Sequence, residues 1–266
     1  MTKIAIVNDT HFGIRSDAQF MLDYQEKFYS DVFFPYLKEH NIKTVFHLGD
    51  LFDRRKYINF VTLNRTKKMF LDRIGEHGLS MYIIPGNHDV YSKNSNDVNS
   101  LKELLSEYPN IEIIMSPKDV KISKETFGFV PWINQENMTE SFDFIQKSKA
   151  KILCGHFELA GFEMYVGNVN EHGMDTTPFS RFDMVWSGHF HHKSTKDNIH
   201  YFGTQMEFTF ADANDPKGFH VYDTETKELT FVRNHNILFE KIFYNDETKS
   251  DQERYRAFDF ESVAGK

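Results

Sequence analysis

Short apolar segments that end in polar loops recur along this chain. Residues 3–7, 44–48 and 80–84 are rich in β-branched and aromatic side chains, which predicts strands covered on both faces. Between them lie helical patterns over 17–39, with Phe20, Tyr24, Phe28 and Val32 on one face and a bend near Pro35, and over 58–75. This order of strand, loop and helix predicts an α/β fold.

The second half of the chain predicts fewer helices and more short strands. Helices are predicted over 97–107 and 139–148, and strands over 111–115, 120–122, 127–130, 151–154 and 184–186. Further strands are predicted over 199–202, 205–208, 219–222, 229–232 and 237–243. We therefore expect one main domain over 1–244, and interpret 245–266 as a polar tail or the start of a capping domain.

The loops after five predicted strands carry side chains of the kinds that bind metals. A run of three histidines in four positions, His189, His191 and His192, follows the strand at 184–186. Alternation along an extended chain sends His189 and His191 to the same side. The other four loops supply Asp9 with His11, Asp50, Asn87 with His88, and His156. In open α/β sheets ligands bind at the carboxyl ends of strands, which predicts one shared site.

Carboxylate, amide and imidazole ligands suit borderline divalent metals better than calcium or a thiolate zinc site. The seven candidates Asp9, His11, Asp50, Asn87, His156, His189 and His191 exceed what one ion needs. Two ions that share a bridging carboxylate would use them all, and such pairs suit phosphoryl chemistry. We expect Mn²⁺, with Fe, Zn or Mg as alternatives.

The composition and net charge bear on the cellular location of the protein and on the ligands it can bind. The single cysteine, Cys154, cannot form an intramolecular disulfide, and no apolar stretch has the length of a membrane span, so we expect a cytoplasmic protein without membrane contact. The formal net charge of −8 argues mildly against nucleic-acid binding. Two divalent cations would offset that charge locally.

Together the motifs resemble the calcineurin-like metallophosphoesterase superfamily. They are Asp9-x-His11, Gly49-Asp50, Gly86-Asn87-His88-Asp89, Gly155-His156 and Gly188-His189-x-His191. Within the superfamily the chain resembles the nuclease subunits of double-strand-break repair complexes, of the bacterial SbcD type and its T-even phage counterparts. That likeness rests on Gly49-Asp50-Leu51-Phe52-Asp53, Gly155-His156-Phe157-Glu158-Leu159, Trp186-Ser187-Gly188-His189, Tyr201-Phe202-Gly203-Thr204 and Asp215-Pro216-Lys217-Gly218-Phe219.

The resemblance implies a sandwich of two mixed sheets flanked by helices, and a DNA exonuclease and single-strand endonuclease. It implies an SMC-like ATPase partner and, less directly, a homodimer. It assigns Asp9, His11 and His191 to one metal, Asn87, His156 and His189 to the other, and Asp50 to both. His88 would stabilise the transition state or protonate the leaving oxygen. Asp89 would orient His88 or a ligand.

Three departures from the family pattern leave alternatives open. Asp53 stands where cellular nucleases commonly carry a histidine, and Gly49-Asp50-x-x-Asp53-Arg54 also resembles protein phosphatases of this fold. A phosphomonoesterase, or a metal-binding platform without turnover, therefore remains a rival. The sequence stops at Lys266, about where the capping domain of the nuclease family would begin, so we expect partner binding and duplex handling to be partly absent.

Several residues near these motifs have both a functional and a structural interpretation. Arg54, Arg55 and Lys56 could bind substrate phosphate or form a solvated charge run, and Asp53 beside them is a further candidate for contact with substrate. His192 is expected to face substrate. Phe12, Tyr91 and Phe190 could stack on an unpaired base, although core packing is the simpler interpretation. His47 is expected in the core, and the histidines without a motif at the surface: His40, His77, His172, His200, His220 and His235.

Overall fold

A computed structural model describes residues 2–241 of the chain, and the predicted tail at 245–266 lies outside them. The strands, in chain order, are β1 (Lys3–Val7), β2 (Thr44–His47), β3 (Ser80–Ile83), β4 (Val90–Ser92), β5 (Ser95–Asn99), β6 (Ile111–Ile113), β7 (Lys118–Ile122), β8 (Glu125–Val130), β9 (Ile152–Gly155), β10 (Glu163–Tyr165), β11 (Asn168–Val169), β12 (Met184–Ser187), β13 (Ser194–Lys196), β14 (Ile199–Tyr201), β15 (Gly218–Asp223) and β16 (Leu229–Arg233).

Two of the helices contain a π-helical turn. Helix α1 begins as Gln19–Phe28, passes through the π turn Tyr29–Phe33 and ends as Phe34–Glu39. Helix α2 likewise consists of Phe60–Thr66, the π turn Lys67–Leu71 and Asp72–Glu76. The remaining helical elements are α3 (Ser100–Leu105), α4 (Met138–Lys147), the 3₁₀ turns Thr177–Phe179 and Phe210–Asp212, and a turn at Ile14–Asp17 with left-handed backbone at Arg15 and Ser16.

Two mixed six-stranded sheets carry the fold, as predicted. The first has the order β16-β15-β1-β2-β3-β6. Strands β1, β2, β3 and β6 are parallel, β15 is antiparallel to β1, and β16 is antiparallel to β15. The second has the order β13-β14-β12-β9-β8-β7, with its four central strands parallel. Parallel strands put their carboxyl ends at one edge, so both sheets can contribute loops to one site.

Each face of the first sheet is buried against a different partner. Ile4 and Ile6 of β1 pack in the core between the sheets, in a cluster that includes Trp186. Ala5 and Val7, which alternate with them, pack in the cluster that contains the buried side chains of α1 and α2. Burial on both faces explains why the sequence of β1 shows no alternation of apolar and polar residues.

The predicted apolar face of α1 is partly wrong. The buried side chains of its first segment are Met21, Leu22, Gln25 and Phe28, whereas Phe20 is 47% exposed. A spacing of four residues drifts by about 40° per step in a helix of 3.6 residues per turn, so Phe20 is rotated by about 80° from Phe28, to the edge of the covered face.

The strand predicted over 205–208 is absent, and residues 237–241 form no regular element. The Asp212 carboxylate accepts hydrogen bonds from the backbone N–H groups of Phe208 (3.0 Å) and Thr209 (2.8 Å). These groups therefore bind a side chain instead of a neighbouring strand. Conversely, the hairpins β4–β5 and β10–β11 were not predicted, since their strands have two to five residues. Within residues 2–241, no helix is long and apolar enough to cross a membrane.

The histidines predicted at the surface divide into three groups. His40, His172 and His235 are exposed, and His77 and His200 are half-buried. His220 is buried, contrary to the prediction, because β15 lies between β1 and β16 and brings its ring against Phe202 (centroids 4.2 Å apart) and Phe231 (5.1 Å). Burial, with Lys193 and His200 nearby, lowers the pKa of His220 to about 3.

This burial predicts a specific acid sensitivity. Below pH ~6.5 the unfolded chain protonates His220 while the folded chain does not, so stability falls by about 1.4 kcal/mol per pH unit towards pH 3. His220→Phe removes this contribution and keeps a ring in the stack. Relative to wild type, we expect the variant to gain about 2 kcal/mol of unfolding free energy between pH 8 and pH 5, measured by urea denaturation. His235→Phe, at an exposed histidine, is the control; an unchanged pH dependence in His220→Phe would contradict the assignment.

Candidate metal centre

The candidate ligands meet where parallel strands of the two sheets end. Loops after β1, β2, β3, β9 and β12 supply them: Asp9, His11, Asp50, Asn87, His156, His189 and His191. Two hydrogen bonds join the loops across the sheets. His156 Nδ1 donates to the Leu48 carbonyl (2.7 Å), and the His189 N–H donates to the Asp9 carboxylate (2.9 Å). The five loops predicted from sequence thus form one cluster.

One set of donor atoms consists of Asp9, His11 and His191. Their ligand atoms lie within 4.8 Å of one another, and the Nε2 atoms of the two histidines are 3.1 Å apart. All three side chains are largely or wholly buried. Such spacing between donors is what a single bound ion requires, since ligands at about 2.0–2.2 Å from a metal lie some 3–4 Å from each other.

The second set consists of Asn87, His156 and His189. The Asn87 Oδ1 atom is 2.9 Å from His156 Nε2 and 2.8 Å from His189 Nδ1. Asp50 lies between the two sets, with Oδ2 3.3 Å from His156 Nε2 and 3.7 Å from His11 Nε2. A carboxylate in this position can serve both sets.

The buried charge of the centre favours cations. Asp9, Asp50 and Asp89 are buried, and within residues 2–241 no lysine or arginine lies within ion-pair distance of them. Burial raises the pKa of Asp9 to about 6 and, together with the Asp50 charge, that of Asp89 to about 7. Burial also disfavours ionised Asp50, but His156 and His11 hold the pKa of Asp50 well below its ordinary value. Divalent cations would compensate this excess of acid.

The imidazoles differ in protonation. Burial lowers the pKa of His189 to about 3 and that of His191 well below its ordinary value, which leaves both rings neutral and able to bind metal. Burial acts the same way on His156, but Asp50 and Asp9 outweigh it and raise the pKa of His156 to about 9. A metal would displace that proton. The donor set therefore fits two divalent ions in both composition and charge.

Backbone geometry at the centre is unusual for non-glycine residues. Asp9 (φ 48°), His11 (φ 44°), Asp50 (φ 56°) and His189 (φ 88°) all lie in the left-handed region. Such conformations cost of the order of 1–3 kcal/mol each and persist where the surrounding structure enforces them. The sequence offered no signal for this strain.

Two motif glycines are required by close packing. A Cβ atom on Gly86 would lie 2.6 Å from the Asp50 nitrogen, and one on Gly188 would lie 2.8 Å from Asp9 Oδ2. Neither distance is compatible with a side chain. The glycine before each of these ligand motifs therefore lets two loops touch at the centre.

His88 and Asp89 have separate contacts. His88 Nδ1 donates to the Asp53 carbonyl (2.6 Å), and the His88 N–H donates to Asp50 Oδ1 (2.6 Å). The Asp89 carboxylate accepts the N–H groups of Asp50 (2.8 Å), Leu51 (3.0 Å) and Gly86 (2.9 Å). Of the two predicted roles for Asp89, these contacts favour orienting a ligand, Asp50, over orienting His88.

The residues that were predicted to lie near substrate have the following contacts and burial. Asp53 lies 3.5 Å from His11 Nδ1, and with His88 these residues form a third group of possible metal donors. Arg54 pairs with Asp17 at 3.5 Å. His192, predicted to face substrate, lies 3.1 Å from Asp215 and 3.5 Å from Glu163. Phe12 and Phe190 are buried as core residues, whereas Tyr91 is exposed, and His47 is in the core as predicted.

A buried lysine that sequence reasoning missed supports the histidine loop. Lys217 Nζ donates to the His191 carbonyl (2.8 Å) and pairs with Asp212 (3.0 Å) and Asp215 (2.8 Å). All three charged side chains are 4–5% exposed. Lys217 belongs to the Asp215-Pro216-Lys217 motif, which was the available signal, but burial and the contact with His191 depend on the fold.

Comparison with known proteins agrees with this picture. The calcineurin-like phosphoesterase family model matches residues 2–216. Exonuclease subunit 1 of Enterobacteria phage T4 is 33% identical over 249 residues, which cover 94% of this chain and 73% of the phage protein. The SbcD component of nuclease SbcCD from Staphylococcus saprophyticus is 23% identical, covering 86% of this chain and 67% of that protein.

One crystal structure, 12% identical, superposes with a TM-score of 0.52 and covers 87% of this chain and 98% of its own. That likeness supports the fold alone. The family match over most of the chain, with the ligand motifs gathered at the strand ends, shows that this protein belongs to the calcineurin-like phosphoesterase family.

Proposed function

We propose that this chain is a metal-dependent DNA phosphodiesterase, an exonuclease and single-strand endonuclease that acts in recombination and double-strand-break processing. The observation that carries the proposal is the pair of buried donor sets with Asp50 between them. The choice of DNA is supported by the names of the relatives, an exonuclease subunit and a nuclease subunit.

The two donor sets would hold two divalent ions. Asp9, His11 and His191 would bind one ion, Asn87, His156 and His189 the other, and Asp50 both. When bound, the ions would offset charge on the phosphoryl oxygens and would lower the pKa of water, so that hydroxide is available near neutral pH to attack phosphorus. Mn²⁺ is our first choice, with Fe, Zn or Mg as alternatives.

His88 would transfer a proton to the leaving oxygen. Its Nδ1 proton is directed to the Asp53 carbonyl, and its ring lines the cleft together with Asp50 and His189. The other ring nitrogen can therefore exchange a proton with a group in the cleft. Burial lowers the pKa of His88, so its neutral ring would take up a proton at Nε2 from the attacking water before giving that proton to the leaving oxygen.

The proposal also includes contacts with the substrate, a protein partner and a cellular location. Arg54 and Arg55, which directly follow Asp53, would contact substrate phosphate. An SMC-like ATPase subunit is the proposed partner, because the relatives are named as subunits of nucleases. The proposed location is the cytoplasm. A homodimer and the role of 245–266 remain predictions.

The proposal is tested by one side-by-side assay. The purified chain, loaded with Mn²⁺, is offered para-nitrophenyl phosphate, its bis ester and end-labelled single-stranded and duplex DNA. We expect cleavage of the bis ester and of DNA, and loss of both activities in EDTA, with recovery on adding Mn²⁺. Metal content measured on the same sample should approach two ions per chain.

Each rival gives a different result in this assay. A phosphomonoesterase or protein phosphatase would hydrolyse the mono ester fastest and leave DNA intact. A structural platform would bind metal and hydrolyse none of the substrates. Either result would overturn the nuclease proposal.

A further inference from the structure

Two exposed tyrosines lie beside cations in the segments that follow Asp53 and His88. The Arg54 guanidinium lies over the Tyr57 ring (5.0 Å to the centroid), and Lys56 Nζ lies over the Tyr91 ring (5.4 Å). Arg54 also donates to the Tyr57 hydroxyl (3.0 Å). We call these four residues the tyrosine–cation cluster.

The cluster is open to solvent. Tyr57 is 64% exposed and Tyr91 is 52% exposed, so each ring leaves much of its surface uncovered. Within residues 2–241, Arg55 and Lys56 have no carboxylate within ion-pair distance, and Arg54 has only Asp17 at 3.5 Å. Arg55 and Lys56 are therefore available to an anionic ligand, and the exposed faces of the two rings are available to an aromatic one.

The cluster is tied to the catalytic loops at both ends. Arg54 and Lys56 follow Asp53, whose carbonyl contacts His88 and whose carboxylate lies 3.5 Å from His11. Tyr91 lies three residues after His88, in β4. Both rings therefore belong to short segments that begin at side chains of the centre, and we expect a strand bound on them to continue into the cleft.

This combination matches the chemistry of an unpaired nucleic-acid strand. Every base has a π face that can stack on an exposed aromatic ring, and the backbone carries one negative charge per nucleotide. A duplex hides its base faces and would meet only the cations. We propose that the tyrosine–cation cluster is a binding platform for unpaired DNA bases adjacent to the cleavage site, an inference that rests on the proposed function and names its substrate as single-stranded DNA.

The platform is tested by binding, independently of cleavage. The Kd for a fluorescein-labelled 12-nucleotide oligothymidylate is measured by anisotropy in EDTA for the wild type, Tyr57→Ala and Tyr91→Ala. We expect Kd to rise about tenfold in each alanine variant, because stacking on one aromatic ring typically contributes that much or more. Tyr57→Phe and Tyr91→Phe keep the ring and should bind within about twofold of wild type.

The salt dependence of DNA binding measures the contribution of the cations. Lys56→Gln should reduce the slope of log Kd against log salt by about 0.7, the contribution of one phosphate contact on a single strand. Duplex DNA of the same length should show no tyrosine-dependent change in Kd.

Controls separate this inference from its rivals. Met138→Ala, at an exposed apolar residue that begins α4, should leave Kd unchanged. Hydrolysis of the bis ester should stay at the wild-type rate in the tyrosine variants, since the two tyrosines lie outside the ligand set.

An unchanged Kd in both alanine variants would overturn the platform. A change in oligomeric state with unchanged Kd would overturn it too, and would assign the rings to contact between copies. Failure of the wild type to cleave DNA would instead overturn the proposed function.

Discussion

Replacing Asp50 by asparagine is expected to abolish phosphodiester hydrolysis while the protein stays folded. Asp50 Oδ2 lies 3.3 Å from His156 Nε2 in one donor set and 3.7 Å from His11 Nε2 in the other. The amide removes the charge but retains an acceptor for the His88 N–H, so the loop geometry should survive. We expect kcat to fall at least about a thousandfold, equivalent to about 4 kcal/mol of transition-state stabilisation. The bis ester assay with Mn²⁺ measures this loss.

A matched variant shows whether the effect belongs to the centre. Asp223→Asn makes the same substitution at the end of β15 that pairs with Lys3, away from the carboxyl end of β1. It should retain wild-type activity. Both variants should melt within about 4 °C of wild type, the shift that about 1 kcal/mol produces in a chain of this size.

His191→Ala should reproduce the loss, because it removes a ligand from the first set. Its metal content should fall below that of the wild type. Retained hydrolysis in Asp50→Asn or His191→Ala would rule out the proposed use of these side chains.

Replacing Lys217 by methionine is expected to give the largest loss of stability. Lys217 is the cation between buried Asp212 and Asp215, and it also donates to the His191 carbonyl. Methionine has a similar length but removes the lysine charge that two buried carboxylates share. Breaking a buried ion pair in this way costs about 3–5 kcal/mol. Urea denaturation at pH 7 measures the difference in unfolding free energy.

Lys147→Met is the control for burial. Lys147 pairs with Asp143 at 2.9 Å, close to the Lys217–Asp215 distance, but the two side chains are 74% and 59% exposed. Water solvates both partners when such a pair is broken, so we expect a loss of about 1 kcal/mol or less. Equal losses in the two variants would show that burial of Lys217 does not set the strength of its contacts.

Much of the candidate site was predictable because strand ends in an α/β fold share an edge. Polar side chains after β1, β2, β3, β9 and β12 could be assigned to one place without knowing the order of the strands. The same reasoning placed Asp50 and His156, which derive from different sheets, in one centre. Local pattern sufficed because each strand and its following loop are adjacent in sequence.

Features that depend on packing between distant segments were not predictable in this way. Phe20 was assigned to the core of α1 from spacing alone, although only contact with the sheet decides which helical face is covered. His220 was placed at the surface, because nothing near it in sequence shows that β15 lies between β1 and β16. Both errors concern burial, which is a property of the whole fold.

By itself, the sequence determined the strand-and-loop order, the α/β class and the set of side chains able to bind metal, since these depend on local periodicity and residue chemistry. Only the tertiary structure decided the left-handed backbone at Asp9, His11 and Asp50, the close approach of Gly86 to Asp50 and of Gly188 to Asp9, and the ion pairs of Lys217 beneath the His191 loop. Each of these joins segments that are far apart in the chain. Their energies exist only once both sheets are packed, which is why no local pattern reports them.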